Sequence, residues 1–254
     1  MKFSYLSETV AIKTISEDNK DGVFEIEGLY TGYGLTLGNS LRRVLLSSLP
    51  GAAITRVKIK GTNHEFTTVP GVAEDVVEIS LNLKGICFRA YTDEPQILRL
   101  KVKGEKVVTA GDIETNSQVE VINADAHIAT LTAKDSELDM ELTVEKGLGY
   151  VSTESVKAEK LPIGVIALDA IFSPVVKVNF EIENMRVGDR TDYNKLRLII
   201  QTNGNISPSA ALRKASNILQ DHFTKISQIE VKEIDFNKEG KEKGSEKKSK
   251  SKKK

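Results

Sequence analysis

Strict alternation of apolar and polar residues returns six times along these 254 residues, and it restricts the fold more than any other feature. Phe24, Ile26, Gly28 and Tyr30 are set against Glu25 and Glu27. The same period of two carries Val57 and Ile59, then Leu98, Leu100 and Val102, then Leu138, Met140, Leu142 and Val144. It returns in Val176, Val178, Phe180 and Ile182, and again in Leu196, Leu198 and Ile200. Successive strand side chains point to opposite faces, so each run predicts a strand with one buried and one wetted face. Together the runs predict antiparallel sheet over most of the chain.

Three segments break this rhythm and predict helices. In residues 36–49, Thr36 caps a helix whose Leu37, Leu41, Val44, Leu45 and Ser48 fall on one side, and Pro50-Gly51 ends it. Residues 72–84 place Val72, Val76, Ile79 and Leu83 on a stripe that stops before Gly85. The third helix opens at Ser207-Pro208, a cap followed by proline at the first helical position, and runs to Ile226. Its Ala211, Leu212, Ala215, Ile218, Leu219, Phe223 and Ile226 span about 140° at 100° per residue, wide enough for the chain's own core or for a second surface as well. On the first helix, Asn39, Arg43 and Leu46 lie away from the apolar stripe. An arginine beside an outward leucine suits a protein contact; an ordinary solvated face is the alternative. The fold class is α+β.

Composition bounds what such a fold does. The 36 basic and 36 acidic side chains cancel, but residues 238–254 hold nine Lys against three Glu, so a basic tail follows an acidic body. That tail has almost no apolar residue and is expected to stay unfolded. The single Cys87 excludes an internal disulfide and a thiolate metal cluster, and reads as a small apolar strand residue. The first eight residues carry no apolar run of the signal-peptide kind, and no segment reaches the ~18 apolar residues of a membrane span. Residues 161–178 come nearest, but Asp169 and Pro174 interrupt them; they read as a buried strand and a turn. A cytoplasmic protein is expected, with no membrane partner.

Signs of catalysis are missing. The glycines in residues 32–38 and 147–150 match neither a P-loop nor a dinucleotide fingerprint and read as turn glycines. His64, His127 and His222 stand far apart, outside any ligand pattern. Glu74, Asp75 and Glu78 gather at a helix start, where they complement the helix dipole. Catalytic residues, metal and cofactor are therefore expected to be none.

Residues 36–51, from Thr36-Leu37-Gly38-Asn39 through Arg42-Arg43 to Pro50-Gly51, closely resemble the signature helix of the alpha subunits of bacterial RNA polymerase. The resemblance continues through His64-Glu65-Phe66, residues 71–76, 81–85, 108–113 and 147–151, and Pro162-Ile163-Gly164. It ends with residues 169–175, Arg190-Thr191-Asp192 and Thr202-Asn203-Gly204, covering about residues 1–232 in all.

What the resemblance implies is an assembly module. A discontinuous dimerisation domain would take residues 1–49 and 172–232, and a mostly β insert domain residues 50–171, with a Lys-rich tail over 233–254. Two copies would form a platform for the beta and beta-prime subunits, which carry the active site. Arg43 matches the helix arginine implicated in beta binding, with Asn39 and Leu46 beside it; Lys84 and Leu168 match positions implicated in beta-prime binding. Leu41, Leu45, Leu212, Ala215, Leu219 and Phe223 are the expected dimerisation residues. Sigma factor would be met indirectly, and DNA only through the assembled enzyme or weakly through the tail, since the helical carboxy-terminal DNA-binding domain of most relatives has no counterpart in these residues. An unrelated α+β homodimer with another binding role, and a nucleic-acid binder acting through the tail, are the alternatives.

Overall fold

The alternating runs form strands, and three helices interrupt them, in a computed structural model that describes residues 8–154 and 162–230. Along the chain lie β1 (Ala11–Glu17), β2 (Asp21–Leu29), α1 (Tyr33–Ser47), β3 (Pro50–Ile59), α2 (Val76–Lys84) and β4 (Phe88–Ala90). Then follow β5 (Gln96–Lys103), β6 (Lys106–Thr109), β7 (Ile113–Glu114), β8 (Val119–Val121), β9 (His127–Leu131) and β10 (Glu137–Leu148). The rest are β11 (Tyr150–Val151), β12 (Val165–Ala167), β13 (Ala170–Ile171), β14 (Val175–Val187), β15 (Arg190–Thr202) and α3 (Pro208–Ile226). This is an α+β protein with antiparallel sheets. It divides into two compact units, Met1–Leu219, which contains every strand among the described residues, and Gln220–Lys254, in which the last turns of α3 fall.

The first unit holds two main sheets. One is four-stranded, in the order β1-β2-β15-β14. The other is seven-stranded, in the order β7-β5-β10-β3-β4-β8, with β12 paired to β3 beside β4's single pairing at Ala52. Each builds its own core. Phe24, Leu196, Leu198 and Ile200 of the first sheet pack with Leu41, Leu45 and Leu49 and with Ala211 and Ala215 of α3. In the second, Leu138, Met140, Leu142 and Val144 of β10 pack with Val57, Ile59, Leu98 and Leu100, and Val76, Ile79 and Leu83 of α2 cover them. The period of two is thus realised as predicted along β10, where all four alternate residues are buried.

Three departures have clear causes. Val176 is exposed because the β14–β15 register shifts between Val175 and Lys177; this bulge turns Val175 inward instead. Glu25 is buried rather than wetted, because its register partner Arg197 donates to Glu25 Oε1 through Nε at 3.0 Å. Residues 162–178 hold two short strands, β12 and β13, with Asp169 between them, and then the start of β14 at Val175, in place of one buried strand and a turn; Leu161 lies outside the described residues.

Helix α1 starts three residues before the expected Thr36. Gly32, at φ +86°, makes the left-handed turn into it, and Thr36 Oγ1 donates back to the Gly32 carbonyl at 3.3 Å from inside the helix. Gly34 and Gly38 are therefore helical packing residues, not turn residues. A Cβ on Gly38 would come within 2.8 Å of the Phe180 ring of β14. In α2 the true cap is Asp75, whose Oδ1 accepts the Glu78 N–H at 2.7 Å; Val72 precedes the helix and bridges to Leu131.

Candidate partner-binding surfaces

The entry into α1 is pinned by the far end of the first sheet. Asn194 of β15 accepts the Gly32 N–H on its Oδ1 at 2.9 Å, and Thr31 Oγ1 donates to Asp192 Oδ2 at 2.7 Å. Asp192 also takes the Arg190 guanidinium at 2.6 Å, and that guanidinium lies 4.9 Å from the Tyr30 ring centre and 5.4 Å from that of Tyr193. The Arg190 contact holds the Asp192 carboxyl far below the usual carboxylate range. The Arg190-Thr191-Asp192 motif thereby sets where α1 begins and which way its faces point.

Those faces divide cleanly. Leu41 and Leu45 enter the core, Leu45 with 0% exposure. On the opposite side Leu35, Arg42, Arg43 and Leu46 are exposed, Leu46 at 40%, and Asn39 is half-buried between them. Arg42 donates to Asn39 Oδ1 at 3.3 Å and lies 5.4 Å from the Phe180 ring centre. Arg43 has no side-chain partner among the described residues. Asn39, Arg43 and Leu46 are thus brought together on one outward stripe, and the structure adds Leu35 and Arg42, which the sequence reading passed over.

The expected dimerisation residues do not share one surface. Leu41, Leu45 and Ala215 belong to the chain's own core. Leu212 and Leu219 are half-buried against the same core. In the second unit Phe223, Ile226 and Ile229 are exposed. An amphipathic arc does not reveal which neighbour covers it, and here the chain itself covers half.

Lys84 and Leu168 do converge. Lys84, at the end of α2, pairs with Asp169 at 2.8 Å, and Asp169 Oδ1 also accepts the Thr153 N–H at 2.9 Å. The Lys84 hydrogen bond, then the Thr153 amide, hold the Asp169 carboxyl below its ordinary range. Leu168, whose N–H donates to the Thr55 carbonyl at 2.8 Å, is only 3% exposed. The histidines stay apart: His64 and His222 are exposed, while His127 meets Glu74 Oε1 at 2.9 Å. Burial would raise the Glu74 carboxyl, but bonds from Thr130 and His127 outweigh it and hold it below its usual range.

Fold and surface together define an α+β protein that turns a helix stripe outward and carries a β-rich segment with its own core. That β-rich segment, residues 57–173, matches the family described as the RNA polymerase Rpb3/RpoA insert domain. Over 216 residues the chain is 55% identical to the DNA-directed RNA polymerase subunit alpha of Symbiobacterium thermophilum, covering 85% of this chain and 67% of that one. It is 51% identical to the same-named subunit of Alkaliphilus oremlandii, over 84% of this chain and 67% of that one. Against that of Moorella thermoacetica it is 53% identical, over 81% and 66%. The chain belongs to the family of DNA-directed RNA polymerase alpha subunits.

Proposed function

We propose that two copies of this chain pair and serve as the platform on which the beta and beta-prime subunits of RNA polymerase assemble. The observation that carries the reading is the outward stripe of α1, with Arg43 unpaired among the described residues while the opposite face is spent on the core. An exposed arginine between an exposed leucine and an asparagine has the composition of an interface anchor. Beta takes Asn39, Arg43 and Leu46; beta-prime takes the surface around Lys84 and Leu168. The copies meet through the accessible parts of α3, at Leu212, Leu219 and Phe223.

The division of labour follows the two cores. Residues 1–49 and 172–232 form the pairing domain and residues 50–171 the insert. The catalytic groups for RNA synthesis belong to the large subunits, so this chain works in the cytoplasm as a non-catalytic part of the enzyme. Sigma factor and DNA are met through the assembly. Residues 238–254, which lie outside the described residues, add at most phosphate contacts that carry no base information.

Arg43→Ala tests the reading. Truncating an anchoring arginine costs about 2 kcal/mol of binding, so capture of purified beta should weaken about thirtyfold, with melting temperature and dimer mass unchanged. Normal capture, or a dimer that falls apart, would refute the role given to Arg43.

A further inference from the structure

The chain leaves α1 for the seven-stranded sheet at Pro50-Gly51 and returns to the four-stranded sheet at Pro174, just before β14. Both crossings border one cavity of about 260 Å³, with Ile206 beside them. Three cations from three elements line it: Arg89 of β4, Lys146 of β10 and Lys214 of α3. No described carboxylate does.

Two of these cations are fixed in place from outside. Arg89 donates through Nε to Asn205 Oδ1 at 3.2 Å and through Nη2 to the Asn205 carbonyl at 3.0 Å, while Nη1 meets Glu120 at 3.3 Å. The Asn205 amide returns a bond to the Phe88 carbonyl at 3.1 Å, so β4 is clasped to the turn that leads into α3. Lys146 pairs with Asp93 at 2.5 Å. Each of the two keeps N–H groups to spare. Lys214 has no hydrogen bond or ion pair among the described residues. Asp93 and Glu120 thus offset two of the charges and leave the third uncompensated. Cations that share a cavity repel one another, and an anion placed between them relieves that repulsion.

We propose that this cavity binds a small phosphate-bearing anion, of the size and charge of inorganic pyrophosphate, whose oxygens accept from Arg89, Lys146 and Lys214 together. A guanidinium held in position and two ammonium groups are the donors that phosphate oxygens take, in charge-assisted bonds stronger than neutral ones. The volume lies near the lower end of ordinary ligand pockets, about 300 Å³, which suits a small metabolite. An acidic side chain of a partner brings one carboxylate to three cations, whereas a pyrophosphate brings two phosphate groups. Once bound, the anion joins α3 to β4 and β10 where the chain passes between its sheets, and it stiffens that junction.

The test titrates the full chain with inorganic pyrophosphate in calorimetry and follows hydrogen exchange of residues 203–206. Residues 238–254 hold nine Lys, whose general attraction for the probe is common to every variant compared. Lys214→Ala removes an exposed side chain, so it should melt as wild type does, bind pyrophosphate about tenfold more weakly and lose the slowing of exchange at 203–206 that wild type shows. Lys146→Ala should weaken binding to a similar degree. Lys60→Ala deletes the same charge from an exposed position just past β3, outside the cavity, and should bind as wild type. Equal binding by Lys214→Ala and wild type would overturn the site and leave the cavity to a partner's carboxylate. Equal losses in Lys60→Ala and Lys214→Ala, or wild-type exchange at 203–206 unmoved by saturating pyrophosphate, would overturn it as well, leaving only attraction to surface lysines.

Discussion

Neighbouring leucines on α1 allow its two faces to be separated by experiment. Leu45 is 0% exposed among Leu41, Leu49 and the sheet leucines, and Leu46, the next residue, is 40% exposed. Leu45→Ala leaves a cavity in a packed core, which costs about 2–5 kcal/mol. At about 2–4 °C per kcal/mol for a domain of this size, a mid-range loss of about 3 kcal/mol lowers the melting temperature by about 6–12 °C. Leu46→Ala gives up only part of a side chain's burial, no more than about 1 kcal/mol or a few degrees. Binding should show the reverse order, with Leu46→Ala weakening capture of purified beta about tenfold. The assay is thermal unfolding by circular dichroism at one protein concentration, because pairing makes the midpoint depend on concentration, followed by titration of beta onto the immobilised chain. A Leu46→Ala variant that melts as low as Leu45→Ala, or binds beta as well as wild type, would refute this assignment of faces.

Gly38→Ala should destabilise the chain by about 1–3 kcal/mol, since the new Cβ would lie 2.8 Å from the Phe180 ring; an unchanged melting temperature would show that α1 sits less closely on β14. Asp169 has a depressed folded-state pKa, so its contribution to stability is present above the unfolded value of about 3.9 and is lost as pH falls through the lower folded value. NMR titration should find this carboxyl ionising below the ordinary range in wild type and nearer to it in Lys84→Met, and the stability gap between wild type and Asp169→Asn should close in acid. Identical Asp169 titrations in the two proteins would deny the ion pair. Phe223→Glu places a charge on an exposed site of the free chain, so it should leave the monomer folded but shift light scattering toward monomer mass; full dimer at micromolar concentration would remove Phe223 from the interface.

How much of this could be read from residues alone depends on the range of the physics involved. The strand β10 was legible, because Leu138, Met140, Leu142 and Val144 express a period set by local backbone geometry. So was α3, whose start is written in Ser207-Pro208. Arg43 was legible as outward-facing, since helical spacing places it opposite the Leu41 and Leu45 stripe. What escaped depends on neighbours distant in sequence. Glu25 is buried by an arginine 172 residues away, and Gly38 is explained only by Phe180. The bulge beside Val176 arises from pairing with β15. Ser80 was passed over, although a second stripe of α2 was present in the spacing of Val77, Ser80, Leu81 and Lys84. That its hydroxyl lacks a partner among the described residues is a tertiary fact. So is the burial of Leu41, Leu45 and Ala215 in the chain's own core.

The central claim is that paired copies of this chain gather the two large subunits, and the mass of the assembly tests it most directly. Purified chain, beta and beta-prime are mixed and passed through size exclusion with light scattering. The chain alone should run at twice its 27.9 kDa monomer mass, and the full mixture should give one species containing two copies of the chain with one of each large subunit. A monomeric chain, or large subunits that elute without it, would contradict the account.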